Sequence, residues 1–103
     1  MTWGYKIAHK YTHNSDHKIH KMTAVIIKGG AILSVGWNLG WDHAETRALR
    51  PNRDYRGAKI YVVRENGGIS KPCPDCMKKI KKAGISEIHY IDRDRNPASE
   101  KVV

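Results

Sequence analysis

The chain has 103 residues, a length that suits one domain, and we expect a single domain over residues 1–103. Its apolar runs are far shorter than the roughly 18 residues that a membrane-spanning helix requires, which predicts no membrane association. The first six residues lack the apolar core of a signal peptide, which predicts a cytoplasmic protein. The net charge of +9 favours an anionic partner such as a nucleotide or a nucleic acid, although it is also compatible with simple solubility.

The first part of the chain predicts a short helix followed by a β-hairpin. Weak helical spacing within residues 1–18 indicates the helix. Two β-rich runs, 23–27 and 31–37, flank a Lys-Gly-Gly segment that is typical of a hairpin turn. Both runs are almost continuously apolar, which predicts a sheet covered on both faces.

Two further helices are predicted from capping signals. The first begins at Asp42, a good N-cap residue with Glu45 in the capping-box position, and ends before Pro51. The next opens near Pro72, a residue tolerated in a first turn, and stops at Gly84.

The remaining strands complete a mixed sheet. Residues 58–64 and 85–91 predict the third and fourth strands, and the charged residues 93–103 predict a tail or a short edge strand at Val102–Val103. The order α-β-β-α-β-α-β indicates an α/β fold with a mixed sheet of four or five strands and a core over about residues 20–92.

The only two cysteines, Cys73 and Cys76, have C-x-x-C spacing. In a reducing cytosol such a pair is better interpreted as a metal site or a redox motif than as a structural disulfide. A thioredoxin-like motif would follow the first strand of a βαβ unit. Here the pair comes late in the chain and Pro72 and Pro74 flank its first cysteine, which favours a metal site.

His43 is the third candidate ligand for one zinc ion per chain. Cys73 and Cys76 open one helix, His43 lies at the start of another, and each helix follows a strand and a loop, so both helix starts can face the same end of the sheet. Three protein ligands leave the fourth position of a tetrahedral zinc open to water, as in catalytic sites. Zinc lowers the pKa of a bound water to about 7, which supplies hydroxide at neutral pH.

Glu45, two residues after His43, is the candidate proton carrier. It would take the proton of the water and deliver it to a ring nitrogen and then to a departing amine, so that hydroxide replaces ammonia on an aromatic carbon. Alternatively, Glu45 is only a capping residue that accepts a backbone hydrogen bond. The presence of the cysteine pair, which predicts a metal site, favours the catalytic role. Among the aromatic residues that could stack on a base, Trp41 is favoured because it directly precedes this segment; the others are Trp37, Tyr55 and Tyr61, the last of which is expected in the core.

Together, HAE at residues 43–45 and PCPDC at residues 72–76 match the H-x-E…P-C-x-x-C signature of zinc nucleobase deaminases. Over residues 20–92 the chain resembles the cytidine and deoxycytidylate deaminase-like superfamily. The segment 36–38, Gly-Trp-Asn, resembles the corresponding segment of tRNA adenosine deaminases. Residues 70–74, Ser-Lys-Pro-Cys-Pro, look more like the corresponding segment of deoxycytidylate and phage-type deaminases.

The resemblance implies a three-layer α/β/α cytidine-deaminase fold and a homo-oligomer. It also implies that Asn38 contacts the base or sugar of a substrate and that the backbone of Ala44 contacts the base carbonyl. On the residues alone, a loop asparagine beside Gly36 is more often explained by turn chemistry.

Three functions compete. The favoured one is deamination of cytosine in a free nucleoside or nucleotide, with dCMP preferred. The second is deamination of cytosine or adenine in single-stranded DNA or RNA, which the basic charge supports. The third is a non-catalytic binding module that zinc only stabilises, in which Glu45 is idle.

Overall fold

The first two strands form the predicted hairpin in the computed structural model. The structure describes residues 22–37, 44, 48–49, 54–64 and 69–101. Its elements are β1 Met22–Lys28, β2 Ala31–Trp37, β3 Lys59–Arg64, α1 Pro74–Lys82, β4 Glu87–Ile91 and β5 Pro97–Lys101. Gly29 and Gly30 join β1 to β2 with φ values of 57° and 80°, the left-handed conformation that a two-residue hairpin turn requires and glycine adopts without strain.

The five strands form one mixed sheet in the order β2-β1-β3-β4-β5. Among the strands that the structure describes, only β3 and β4 pair in parallel, with α1 between them in the chain, while the other neighbours are antiparallel. The predicted α/β fold with four or five strands is therefore confirmed. The predicted bounds of β3, α1 and β4 lie within two residues of the observed ones.

The C-terminal segment is not a tail over residues 97–101. These residues form β5, which pairs with β4, whereas the alternative edge strand at Val102–Val103 lies outside the described residues and stays a prediction. The turn before β5 is organised by Asp92, whose carboxylate accepts hydrogen bonds from the backbone of Asp94 and Asn96 at 2.9 and 3.0 Å. Such charged, proline-containing segments are typical of edge strands, and this composition concealed the strand.

The main core lies on one face of the sheet, between the strands and α1. Ile26, Ile60 and Ile88, on adjacent strands, are each 0% exposed and share a cluster with Ile80 of α1. On the opposite face Val25 and Val63 are also 0% exposed, so both faces of the sheet are covered, as predicted.

The segment between β2 and β3 is attached to this core at Ala48. Ala44 and Ala48 are helical and buried, as the predicted second helix requires. The carbonyl of Ala48 accepts hydrogen bonds from two buried hydroxyls, Ser34 Oγ on β2 at 2.6 Å and Tyr55 Oη at 3.2 Å. These two donors fix this helical segment against β2 and against the residues that precede β3.

Removing either hydroxyl, in Ser34→Ala or Tyr55→Phe, is expected to lower the free energy of unfolding by about 1 kcal/mol, the usual net value of one hydrogen bond. The double variant is expected to lose more than the sum, because the buried Ala48 carbonyl then has neither side-chain donor. Urea unfolding of all four proteins measures this coupling. Strictly additive losses would contradict the shared role of the two hydroxyls.

The helix predicted within residues 1–18 lies outside the described residues. Within the ranges that are described, no helix has the length and apolar character needed to cross a membrane.

Candidate active site

The two cysteines lie in the first turn of α1. Cys73 is the N-cap, with an extended backbone at φ −69° and ψ 164°, and its carbonyl accepts the first helical hydrogen bond from Met77 N at 2.9 Å. Pro74 follows as the first helical residue, where its missing N–H costs nothing, and Asp75 adds a negative charge that the helix dipole favours. The local sequence therefore starts the helix at the cysteine pair.

The donor chemistry of this pair suits a zinc ion. Cys76 is 3% exposed and belongs to the buried side of α1 with Ile80, whereas Cys73 is partly buried, and neither forms a disulfide. Two thiols spaced C-x-x-C at a helix start supply two of the four ligands of a tetrahedral site. The described residues contain no group of three histidines, cysteines or carboxylates placed to hold a metal, and His43 lies outside them.

The topology places the expected site at one edge of the sheet. Cys73 follows the carboxyl end of β3, which is also the edge where the parallel strand β4 ends. Strand β2 runs in the same direction as β3, because each is antiparallel to β1, so its last residue, Trp37, lies at this edge as well. Ligands of open α/β sheets bind outside the carboxyl ends of the strands. Asn38 follows Trp37 in sequence but lies outside the described residues.

Ala44, in the second predicted helix, lies in the same buried cluster as residues of α1. It is helical, 1% exposed, and belongs to the same buried cluster as Ile80 of α1. Its sequence neighbours His43 and Glu45, and also Trp41, lie outside the described residues. The assignments of ligand, proton carrier and substrate contact to these residues therefore stay predictions.

Ser70, three residues before Cys73, is hydrogen-bonded to the ends of β3 and β4, a role that the sequence did not reveal. It is 1% exposed, and its hydroxyl donates to Val62 O at 2.7 Å and accepts from Ile91 N at 2.8 Å. Its own N–H donates to Ile91 O at 2.9 Å. A lone serine in a loop is usually exposed, so no sequence pattern distinguishes this one.

Two of the aromatic candidates lie elsewhere. Tyr55 is 2% exposed within the core, so it is not available to stack on a base. Tyr61 packs on the sheet face opposite α1, where its ring stacks on His89 with centroids 4.4 Å apart. His89 Nε2 is also 3.1 Å from Glu87 Oε1, and the other carboxylate oxygen of Glu87, Oε2, is 3.7 Å from Lys59 Nζ.

Burial lowers the pKa of His89 below its ordinary value of 6.5, and the nearby charge of Lys59 acts in the same direction, against the hydrogen bond to Glu87. Because the folded state disfavours the charged imidazole, His89 stabilises the protein fully above pH 6.5, and this contribution is lost as the pH falls toward the lower pKa of the folded state.

The stability advantage of the wild-type protein over His89→Gln is therefore expected to shrink between about pH 7.5 and about pH 5. Thermal unfolding of both proteins across this range measures the difference in stability. Subtracting the stability of one protein from that of the other at each pH cancels the contribution of the other histidines, which both chains share. An advantage that does not change with pH would contradict the assignment.

Comparisons with known proteins agree with this geometry. Residues 2–92 match the profile of the family described as the cytidine and deoxycytidylate deaminase zinc-binding region. The chain is similar to the dCMP deaminase from the cyanophage S-TIM5, with 27% identity, a TM-score of 0.68, and coverage of 84% of this chain and 77% of that one. A second structure of the cyanophage enzyme, in complex with dCMP and dUMP, matches with 26% identity, a TM-score of 0.67, and coverage of 82% and 74%.

A cytidine deaminase from Burkholderia pseudomallei shares the fold, with a TM-score of 0.77 and 20% identity over 99% of this chain and 94% of that one. Among curated proteins, none matches the chain significantly. The similarity of fold, the cysteine pair at the start of α1 and the profile match agree, and the chain belongs to the cytidine and deoxycytidylate deaminase zinc-binding family.

Proposed function

We propose that the protein is a zinc-dependent deaminase that converts cytosine to uracil in a free nucleoside or nucleotide, with dCMP as the favoured substrate. The observation that carries this proposal is the placement of Cys73 and Cys76 in the first turn of α1, at the carboxyl edge of the parallel strands β3 and β4. The similarity to the cyanophage dCMP deaminase, seen with dCMP and dUMP, supports the choice of nucleotide.

In this proposal Cys73, Cys76 and His43 hold the zinc. When bound, the metal acts as a Lewis acid that lowers the pKa of water to about 7. The exposure of the two thiols differs, because Cys76 is 3% exposed and Cys73 is only partly buried. One thiol is therefore buried in the core and the other is partly exposed, which suits a site that a substrate must reach.

Glu45 carries the protons of the reaction. Its carboxylate takes a proton from the attacking water and delivers it to N3 of cytosine, while a C–O bond forms at C4. It then passes the second proton to the amine at C4, the C4–N4 bond breaks, and ammonia leaves. The balanced change is cytosine plus water to uracil plus ammonia, and it needs no oxidant or reductant.

Asn38, Trp41 and the backbone of Ala44 orient the substrate in this proposal. Asn38 contacts the base or the sugar, Trp41 stacks on the ring, and Ala44 contacts the base carbonyl. The buried, helical Ala44 supports this arrangement, because its backbone is fixed by packing in the cluster that contains Ile80.

A substrate panel tests the proposal. The zinc-loaded protein is incubated with dCMP, cytidine and cytosine, and ammonia release is measured together with the zinc content of the same sample. We expect turnover of dCMP, with less or none of the other two. Zinc-loaded protein that releases no ammonia from any of the three would overturn the proposal.

The basic surface of α1 favours a polynucleotide substrate as the second candidate. Four lysines of this helix are exposed: Lys78, Lys79, Lys81 and Lys82. Binding of a cytosine- or adenine-containing oligonucleotide through these cations should weaken steeply between about 50 mM and about 200 mM salt. An affinity that stays flat over this range would exclude this candidate and leave the lysines as a solvated face.

A further inference from the structure

Ser70 bridges the ends of the two parallel strands that flank α1. Its hydroxyl donates to the carbonyl of Val62 on β3 and accepts from the amide of Ile91 on β4, at 2.7 and 2.8 Å. Its backbone amide adds a third bond, to the carbonyl of Ile91 at 2.9 Å. The side chain is thus a donor and an acceptor at once, and at 1% exposure water does not compete for either role.

This bridge lies close in the chain to the first cysteine. Only Lys71 and Pro72 separate Ser70 from Cys73, and Pro72 is buried and has its φ angle fixed by its ring. On the other side of Cys73, Pro74 and the first turn of α1 fix the backbone again. Few backbone torsions between Ser70 and Cys73 are therefore free to vary, which limits the positions that the thiol of Cys73 can adopt.

We propose that Ser70 is a positioning residue that sets the placement of the Cys73 and Cys76 thiols for metal binding. It contacts neither the metal nor the substrate, and it acts through the short backbone segment that it attaches to β3 and β4. The inference rests on the proposed zinc site. It adds a residue that determines how closely the two thiols already adopt their metal-binding arrangement in the metal-free protein. A preorganised ligand pair binds more tightly because less order is lost on binding.

The chain offers a matched control at the opposite end of the same two strands. Ser86 Oγ donates to Ala58 O at 3.0 Å, and Ser86 N donates to the same carbonyl at 2.8 Å, so it connects the beginnings of β3 and β4 much as Ser70 connects their ends. Ser86 is far along the chain from Cys73 and follows the end of α1. Ser86→Ala therefore reports a loss of strand anchoring without a change near the cysteines.

Metal affinity is measured by competition with a chromophoric chelator, and site geometry by the absorption bands of the Co²⁺-substituted protein. Ser70→Ala is expected to weaken zinc binding by about tenfold, the lower end of the usual effect of residues that orient metal ligands, and to shift the Co²⁺ bands. Ser86→Ala is expected to lower the melting temperature but to keep the wild-type affinity and spectrum.

The nearly isosteric pair Ser70→Thr and Ser70→Val gives a second, independent comparison, since a hydroxyl in one variant replaces a methyl group in the other. The Ser70→Thr protein is expected to bind zinc more tightly than the Ser70→Val protein by about tenfold. Wild-type affinity and spectra in Ser70→Ala, or equal affinities in the isosteric pair, would overturn the inference while leaving the proposed function intact. A wild-type protein that binds neither zinc nor Co²⁺ would overturn both.

Discussion

Replacement of Glu45 by glutamine is expected to lower kcat for dCMP deamination by about 10²- to 10⁴-fold, the range that general acid–base catalysis typically contributes. Glutamine has nearly the same shape as glutamate but cannot accept and release the two protons that the reaction moves. The zinc content and the melting temperature should stay close to those of the wild-type protein. Steady-state ammonia release, metal analysis and thermal unfolding on the same samples separate these effects.

Glu87→Gln is the matched control for this experiment. Glu87 lies at the beginning of β4, at the edge of the sheet opposite the cysteines, where its carboxylate is 3.1 Å from His89 Nε2 and 3.7 Å from Lys59 Nζ. This variant carries the same change of charge but is expected to keep wild-type kcat. If Glu45→Gln instead kept wild-type kcat and only lost stability, Glu45 would be a capping residue and the zinc-stabilised binding module would be favoured.

Replacement of Cys76 by serine is expected to abolish both zinc binding and deamination. A serine hydroxyl is a poor zinc ligand at neutral pH, and the site of Cys76, at 3% exposure, gives water little room to substitute for the missing thiolate. The variant should also unfold at a lower temperature, because bound metal stabilises the folded state by about 4 kcal/mol when it is present at 1,000 times its dissociation constant.

Chelation of the wild-type protein provides the control for Cys76→Ser. Removing zinc with a strong chelator should lower the melting temperature to nearly that of the variant, and added zinc should restore the wild-type protein but not the variant. Retention of one zinc per chain and of dCMP turnover by Cys76→Ser would contradict the assignment of Cys76 as a ligand.

The hairpin and α1 were predictable because their signals are local. A Gly-Gly pair between two β-rich runs specifies a two-residue turn, and φ values of 57° and 80° confirm it at Gly29 and Gly30. Proline at the first helical position of α1 and Gly84 after its end, at φ 86°, mark the helix in the same way. The start predicted near Pro72 lies two residues before the observed first helical residue, Pro74, so the cysteine pair opens the helix as expected.

Strand β5 and Ser70 were not predictable because their stability depends on residues distant in the chain. Residues 97–101 are a strand only because β4 provides a partner, and the charges that suit an exposed edge resemble those of a tail. Ser70 becomes a bridge only when Val62 and Ile91 come together through the parallel pairing of β3 and β4. Neither arrangement leaves a periodic signal near the residue concerned.

The remaining site assignments came from residue chemistry and from the motif. His43, Glu45, Asn38 and Trp41 lie outside the described residues, so their roles stay predictions that the variants above test. The homo-oligomer implied by the resemblance also stays a prediction, which sedimentation of the zinc-loaded protein measures.

Zinc K-edge X-ray absorption of the purified, active protein tests the central claim most directly, because it counts the atoms bound to the metal. Ligation by Cys73, Cys76, His43 and one water predicts two sulfur atoms at about 2.3 Å and two nitrogen or oxygen atoms at about 2.0–2.1 Å. A metal shell without sulfur, or full dCMP turnover by protein that contains no zinc, would contradict it.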